Sequence, residues 1–255
     1  MNPPDTILEV REVTKQFAGF TAVSGMSLAL RRGERRGLIG PNGAGKTTLF
    51  NLISGRLRAD SGEIRYLGQP IHRLPAHRIC RLGLARTFQI TSIYHRLTCL
   101  QNVQVALFAR YRRSHRLFGS ARFTDVEEAL GFLGEVGLER QPGRVAGQLS
   151  YGDQKRLELA LALAAKPQVL LLDEPTAGME AGARRGIVDL VQRLCAEHAL
   201  TLLFCEHDMD SVFRLADSIT VAHEGRILFE GSAEDVIANE EVRAIYLGSR
   251  RTARP

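Results

Sequence analysis

Nine consecutive residues decide most of what this chain can be: Gly40, Pro41, Asn42, Gly43, Ala44, Gly45, Lys46, Thr47 and Thr48. They satisfy G-x-x-x-x-G-K-[ST] and stand where that pattern has physical meaning. A short apolar run, Arg36 to Ile39, precedes them, and an apolar periodic segment, Lys46 to Ser54, follows. The glycines let backbone N–H groups curve around phosphate oxygens with no Cβ in the way. The following helix N-terminus then favours the anion. Lys46 is suited to reach the β- and γ-phosphates, and the Thr47 hydroxyl to ligate Mg²⁺. The pattern predicts a nucleoside triphosphate ligand held at a strand–turn–helix.

A second constellation completes such a site. Val169-Leu-Leu-Leu reads as a buried central strand, and Asp173 and Glu174 emerge at its C-terminal end, where open α/β sheets bind ligands. Asp173 is suited to hold Mg²⁺ through water, and Glu174 to polarise an attacking water.

The surrounding pattern predicts an α/β fold with a mostly parallel sheet, an N-terminal antiparallel β portion and an inserted helical subdomain. Ile7 to Phe17 and Ser27 to Leu30 alternate as strands, and Ser61 to Gly68 reads as another. From Leu97 to Gln148 helical patterning dominates, at Val103 to Tyr111 and Val126 to Val136. Helices to Ala165, from Arg184 to His198 and from Met209 to Leu215 alternate with strands at Val169 to Leu172 and Leu200 to Cys205. A hairpin at Ser218 to Phe229 and a helical tail close the pattern.

Length and composition allow this: 255 residues, 44% hydrophobic and 24% charged, supply a core without disulfides or metals. Cys80, Cys99, Cys195 and Cys205 have no ligand-like spacing and read as buried reduced thiols. No apolar run reaches the roughly 18 to 20 residues that span a bilayer, and MNPPDTILEV has no signal-peptide pattern. A cytoplasmic chain that meets a membrane through a partner is expected. The Arg excess behind the net charge of +6 is partly local, at Arg110, Arg112, Arg113, Arg116 and Arg122 and at Arg250, Arg251 and Arg254. This reads as a solvated face near anionic lipid. No interleaving of basic and aromatic residues points to nucleic acid.

What separates this chain from other phosphate-loop proteins is Leu149-Ser150-Tyr151-Gly152-Asp153-Gln154, about 20 residues before Asp173. Ser150 can N-cap the helix that follows, and Gly152 lets a ligand approach closely. A capped helix start is the plainer reading of the segment by itself. Between the other two motifs it resembles the LSGGQ signature of ABC ATPases. The resemblance covers essentially the whole chain and implies a P-loop NTPase of ABC type with a RecA-like core. It places the nucleotide-binding core at 1–90 and 155–240, the helical subdomain at 91–154 and a tail at 241–255.

The same resemblance assigns roles. Phe17 is similar to the aromatic residue that stacks on adenine, with Val23 as a second apolar contact, although Phe17 fits a core position too. Gln89, in Ala-Arg-Thr-Phe-Gln, matches the glutamine that senses Mg²⁺ and the attacking water. His207 matches the histidine that contacts the γ-phosphate. LSYGDQKRLELALALA, DEPTAGM and CEHDM resemble the ATPases of branched-chain amino-acid importers, with urea and lipopolysaccharide systems as alternatives. The implied ligands are ATP and Mg²⁺. The implied partners are a second ATPase subunit (a second copy or a paralogue), transmembrane permeases and a substrate-binding protein outside the membrane. The implied place is the cytoplasmic face of the inner membrane. One departure stands out: Ala177-Gly-Met-Glu180 replaces the usual SALD, which puts cross-dimer contacts of that loop in doubt. A soluble ABC ATPase of translation or DNA repair would carry a tandem half or a coiled-coil insertion, and neither is seen. A non-catalytic nucleotide-gated module would have lost Glu174 or His207. A small-molecule kinase lacks the signature segment.

Overall fold

The computed structural model describes residues 5–87, 93–111 and 125–247. Gln89, Arg112, Arg113, Arg116, Arg122, Arg250, Arg251 and Arg254 lie outside the described residues. In chain order the elements are β1 (Thr6–Phe17), β2 (Phe20–Arg31), β3 (Arg35–Ile39), α1 (Lys46–Ile53), β4 (Ser61–Tyr66), β5 (Gln69–Pro70), α2 (Ala76–Arg81) and β6 (Leu84–Arg86). Then come α3 (Cys99–Tyr111), α4 (Val126–Glu135), α5 (Tyr151–Ala164), β7 (Val169–Asp173), α6 (Ala181–Glu197) and β8 (Thr201–Cys205). The chain continues through α7 (Met209–Leu215), β9 (Ser218–His223), β10 (Arg226–Gly231) and α8 (Ala233–Ala238).

The strands form two sheets. One is antiparallel, in the order β2-β1-β4-β5; the other runs β10-β9-β3-β8-β7-β6, with every pair from β9 to β6 parallel. The parallel sheet explains the continuous apolar runs, because both of its faces are covered. Alternate residues go to opposite layers. Leu38, Val169, Leu171, Leu203 and Cys205 pack with β1, β2, β4 and α1, while Ile39, Leu170, Leu172, Leu202 and Phe204 pack with the helices α3 to α7. Within the helical layer, Val103, Leu107, Ala129, Phe132, Leu133, Leu157 and Leu163 join α3, α4 and α5 in one core.

Four expectations change. β2 begins at Phe20, not Ser27, because it pairs with β1 along the whole hairpin, from Phe17↔Phe20 to Thr6↔Arg31. The hairpin turn at Ala18 and Gly19 has φ of 43° and 88°, the backbone form that matches strand twist. α2 and β6 are additions; β6 is three residues long and exists by pairing with β7, too short to show a period. α6 starts at Ala181 instead of Arg184. Cys80 is exposed, whereas Cys99, Cys195 and Cys205 are buried. Among the described residues no helix is long and apolar enough to cross a membrane.

Candidate nucleotide-binding site

β3, β7 and β8 are neighbours that all end on one edge of the sheet, and each end delivers part of the site. β3 runs into the glycine-rich loop. Close packing dictates two of its glycines: a Cβ on Gly40 would meet the Ala222 carbonyl oxygen at 2.2 Å, and one on Gly45 the Ala22 oxygen at 2.5 Å. Gly45 then caps α1 with a left-handed φ of 93° and no side-chain bond. The first turn of α1 has no acidic residue, so its free N–H groups remain for an anion.

Lys46 folds back over this loop. Its Nζ donates to the carbonyl oxygens of Gly40 at 2.6 Å and Pro41 at 3.0 Å, and the residue is buried. Burial pushes the ammonium below its usual range, against the pull of Cys205, Glu174 and Asp173 nearby. Thr47 is exposed in the first turn of α1, with Thr48 half-buried beside it. Pro41 to Ala44 close the loop by the Ala44 N–H donating to the Pro41 oxygen at 3.2 Å.

The ends of β7 and β8 bring the acidic and imidazole groups together. Asp173 pairs with Cys205 in the sheet, and the Glu174 N–H donates to the Cys205 oxygen at 3.0 Å. One residue past β7 and two past β8, His207 Nε2 lies 3.0 Å from Glu174 Oε1. Glu174 takes a left-handed φ of 50°, unusual for a residue with a Cβ. Its carboxylate is thereby turned from the strand direction toward the neighbouring strand's end.

Asp173 is buried, and its Oδ2 accepts from Arg86 Nη2 at 2.8 Å. With Thr47 it offers one carboxylate and one hydroxyl, hard oxygen donors of the kind that hold Mg²⁺ together with phosphate oxygens and water. Among the described residues no cluster of three or more His, Cys, Asp and Glu forms a metal cage, which that mode of binding does not need. The donor set fits.

The adenine expectations divide. Phe17 ends β1 with 40% of its surface exposed, and Lys15 Nζ stands 5.5 Å from its ring centroid. Val23 is fully buried and would lie 3.4 Å from a Cβ on Gly45. Its side chain packs beneath the phosphate loop at Gly45.

A model of the ABC transporter family matches residues 23–177. The chain belongs to the ABC transporter family. It is 37% identical over 252 residues to the high-affinity branched-chain amino acid transport ATP-binding protein BraF of Pseudomonas aeruginosa, covering 95% of this chain and 98% of the relative. To LivG of Escherichia coli, which carries the same description, it is 35% identical over 250 residues, with 95% and 98% covered. In structure it matches a nucleotide-free ATP-binding cassette from an ABC transporter with a TM-score of 0.84 at 30% identity, over 94% of this chain and 98% of the other. A dimeric cassette bound to ADP and phosphate gives 0.77 at 25% identity, over 89% and 99%.

The Leu149 to Gln154 segment leads into α5. Ser150 is exposed and caps α5, its Oγ accepting from the Asp153 N–H at 3.2 Å. A Cβ on Gly152 would meet nothing within 4 Å. Among the described residues no hydrogen bond joins this segment to residues 40–48 of the same ABC chain. Glu180 caps α6 through its backbone alone.

Three residues near the site escaped sequence reasoning. Arg86 is one. Glu206, between Cys205 and His207, is buried and accepts from the Thr176 N–H at 2.8 Å, the Thr176 hydroxyl at 2.6 Å and the His207 N–H at 3.2 Å. Arg184 ties the two loops together, donating to Asp208 Oδ1 at 2.5 Å and the Met179 oxygen at 3.1 Å. Only Glu206 had a local signal, a carboxylate at the end of an apolar strand next to a site histidine.

Proposed function

We propose that this chain is the ATP-hydrolysing subunit of an ABC importer for branched-chain or related amino acids, working on the cytoplasmic face of the membrane. The observation that carries the hydrolytic part is the 3.0 Å contact between His207 and Glu174 beside a phosphate loop whose lysine is already drawn over it. The amino-acid part rests on relatives named for that transport, matched over nearly their full length.

In this reading the amides of Gly43 to Thr48 and Lys46 hold the phosphates, and Phe17 offers its exposed ring to the base. Binding draws Lys46 from the loop carbonyls to the β- and γ-phosphates, which offsets the cost of its burial. Glu174 accepts a proton from the water that attacks the γ-phosphorus in line, and His207 holds that carboxylate and donates to the γ-phosphate. Thr47 and Asp173, with Gln89, would hold Mg²⁺, which when bound neutralises charge on the β- and γ-oxygens.

In this reading one chain leaves a nucleotide open on the side away from the sheet, and Ser150 and Gly152 stand at the N-terminus of α5, where Ser150 is exposed. A second copy or a paralogue, facing head to tail, would complete each site with these two residues. Closure and reopening would pass to permease subunits, with a binding protein outside the membrane delivering solute. Phosphate release from ATP by the purified chain, compared with Glu174→Gln, tests the hydrolysis. Uptake of labelled leucine in cells with and without the gene tests the solute; unchanged uptake would transfer the chain to another solute.

A further inference from the structure

Arg86 occupies a place that the mechanism above does not use. It ends β6, and its side chain is 5% exposed; the Asp173 side chain that it meets is 1% exposed. The guanidinium is held on both sides. Nη2 donates to Asp173 Oδ2 at 2.8 Å, while Nη1 donates to Asn51 Oδ1 at 2.7 Å and to Ser54 Oγ at 3.1 Å. The Phe50 ring lies beneath it, 5.6 Å from centroid to guanidinium carbon. Phe50, Asn51 and Ser54 all belong to the C-terminal end of α1 and its cap, the helix whose first turn carries Lys46 and Thr47.

A carboxylate as buried as Asp173 is strongly disfavoured without a positive partner. Arg86 supplies that charge through one oxygen and, through its other nitrogen, fixes the distance between β7 and α1. Only a planar fork serves both elements at once; a lysine at this position reaches one or the other.

We propose that Arg86 is a positioning residue for the metal half of the site: it holds Asp173 in register with the helix that carries Thr47, so that the carboxylate and the hydroxyl stand ready for one cation. This rests on the nucleotide reading for its purpose, although the clamp itself can be tested without nucleotide. Arg86 is the cation in direct contact with the Asp173 carboxylate, at 2.8 Å.

The experiment is thermal unfolding of the full chain as wild type, Arg86→Met, Asp173→Asn and the double variant, each in EDTA without nucleotide. Arg86→Met is expected to lower the midpoint by on the order of 10 °C. In the Asp173→Asn background the same substitution should lower it by roughly half as much or less, because no carboxylate is left unpaired. Equal losses in both backgrounds would overturn the proposal. If Arg86→Met does not fold, a folded double variant supports the clamp, and a double variant that is equally unfolded overturns it.

A second readout adds saturating ATP, first in EDTA and then with Mg²⁺. The Mg²⁺-dependent rise in midpoint should be smaller in Arg86→Met, or in Arg86→Lys should the first not fold, than in wild type, because Asp173 is no longer held in register with Thr47. An equal or larger rise counts against the assignment. If ATP shifts no variant, wild type included, the nucleotide reading fails, while the nucleotide-free comparison still decides the role of Arg86.

Discussion

His207 Nε2 lies 3.0 Å from Glu174 Oε1, a contact made one residue beyond one parallel strand and two beyond its neighbour, whose last paired residues are Asp173 and Cys205. The sheet register brings these side chains together, since 33 positions separate them in the chain. Glu174 reaches His207 by taking a left-handed backbone, which an element packed on both sides can enforce.

In the proposed mechanism this contact makes His207 a partner of the carboxylate that takes the proton. His207→Ala should therefore reduce ATP turnover by about 10²- to 10³-fold. ATP affinity, set by the loop from Gly40 to Thr48, should stay within a few-fold. Steady-state phosphate release and equilibrium nucleotide binding, measured side by side, check the split. A loss of binding that matched the loss of turnover would make His207 a binding residue instead.

Ser150 caps α5 but makes no hydrogen bond to its own chain's phosphate loop. Ser150→Ala should cost about 1 kcal/mol of stability, a fall in melting midpoint of about 2–4 °C. ATP binding by the separate chain should be unaffected, and turnover in the paired state should drop. Weaker ATP binding by the monomer would place Ser150 in its own site and contradict the head-to-tail arrangement.

Glu206 has a carboxyl raised above its ordinary value of 4.5, chiefly by burial, with hydrogen bonds from Thr176 and His207 pulling the other way. The folded chain thus holds this proton more tightly than the unfolded chain. The stabilisation is full below about 4.5 and is lost as pH rises through the folded-state value. Glu206→Gln removes that titration. The stability of wild type minus that of Glu206→Gln should therefore fall as pH rises above the ordinary carboxyl value of 4.5 and through the folded-state value, as read by denaturant unfolding. A difference that rose with pH would mean that the carboxylate is stabilised in place.

The loop glycines separate two kinds of demand. Gly40→Ala drives a Cβ into the Ala222 oxygen at 2.2 Å, so the loop must shift and nucleotide binding should be lost. Gly43→Ala meets nothing within 4 Å and bears only a left-handed φ of 83°, about 1–2 kcal/mol of strain. Circular-dichroism melts and ATP titrations of the two variants should rank Gly40→Ala far below Gly43→Ala; the reverse order would contradict the packing described.

The sequence legibility of this site follows the range of the interactions. The phosphate loop, the Val169–Asp173 strand and the capped start at Ser150 are local patterns, each written within a few residues. The continuous apolar runs of β7 and β8 foretold a sheet covered on both faces. Illegible were features that depend on distant pairing. β6 is a strand because β7 lies beside it, and the early start of β2 comes from β1. Arg86 and Asp173 are 87 positions apart, and nothing near Arg86 marks it as a carboxylate's partner. Val23 reads as an apolar contact for a base, and only the three-dimensional packing puts it beneath Gly45.

The central claim is that Glu174 drives hydrolysis in a site completed by a second chain. Its most direct test is light scattering coupled to size-exclusion chromatography, on wild type and Glu174→Gln, each with and without MgATP. Glu174→Gln should bind ATP, lose turnover by about 10²- to 10⁴-fold and run as a dimer only with MgATP. A Glu174→Gln chain that binds ATP yet stays monomeric would contradict the paired site between copies of this chain. A variant that still hydrolyses ATP at the wild-type rate would remove Glu174 from the chemistry.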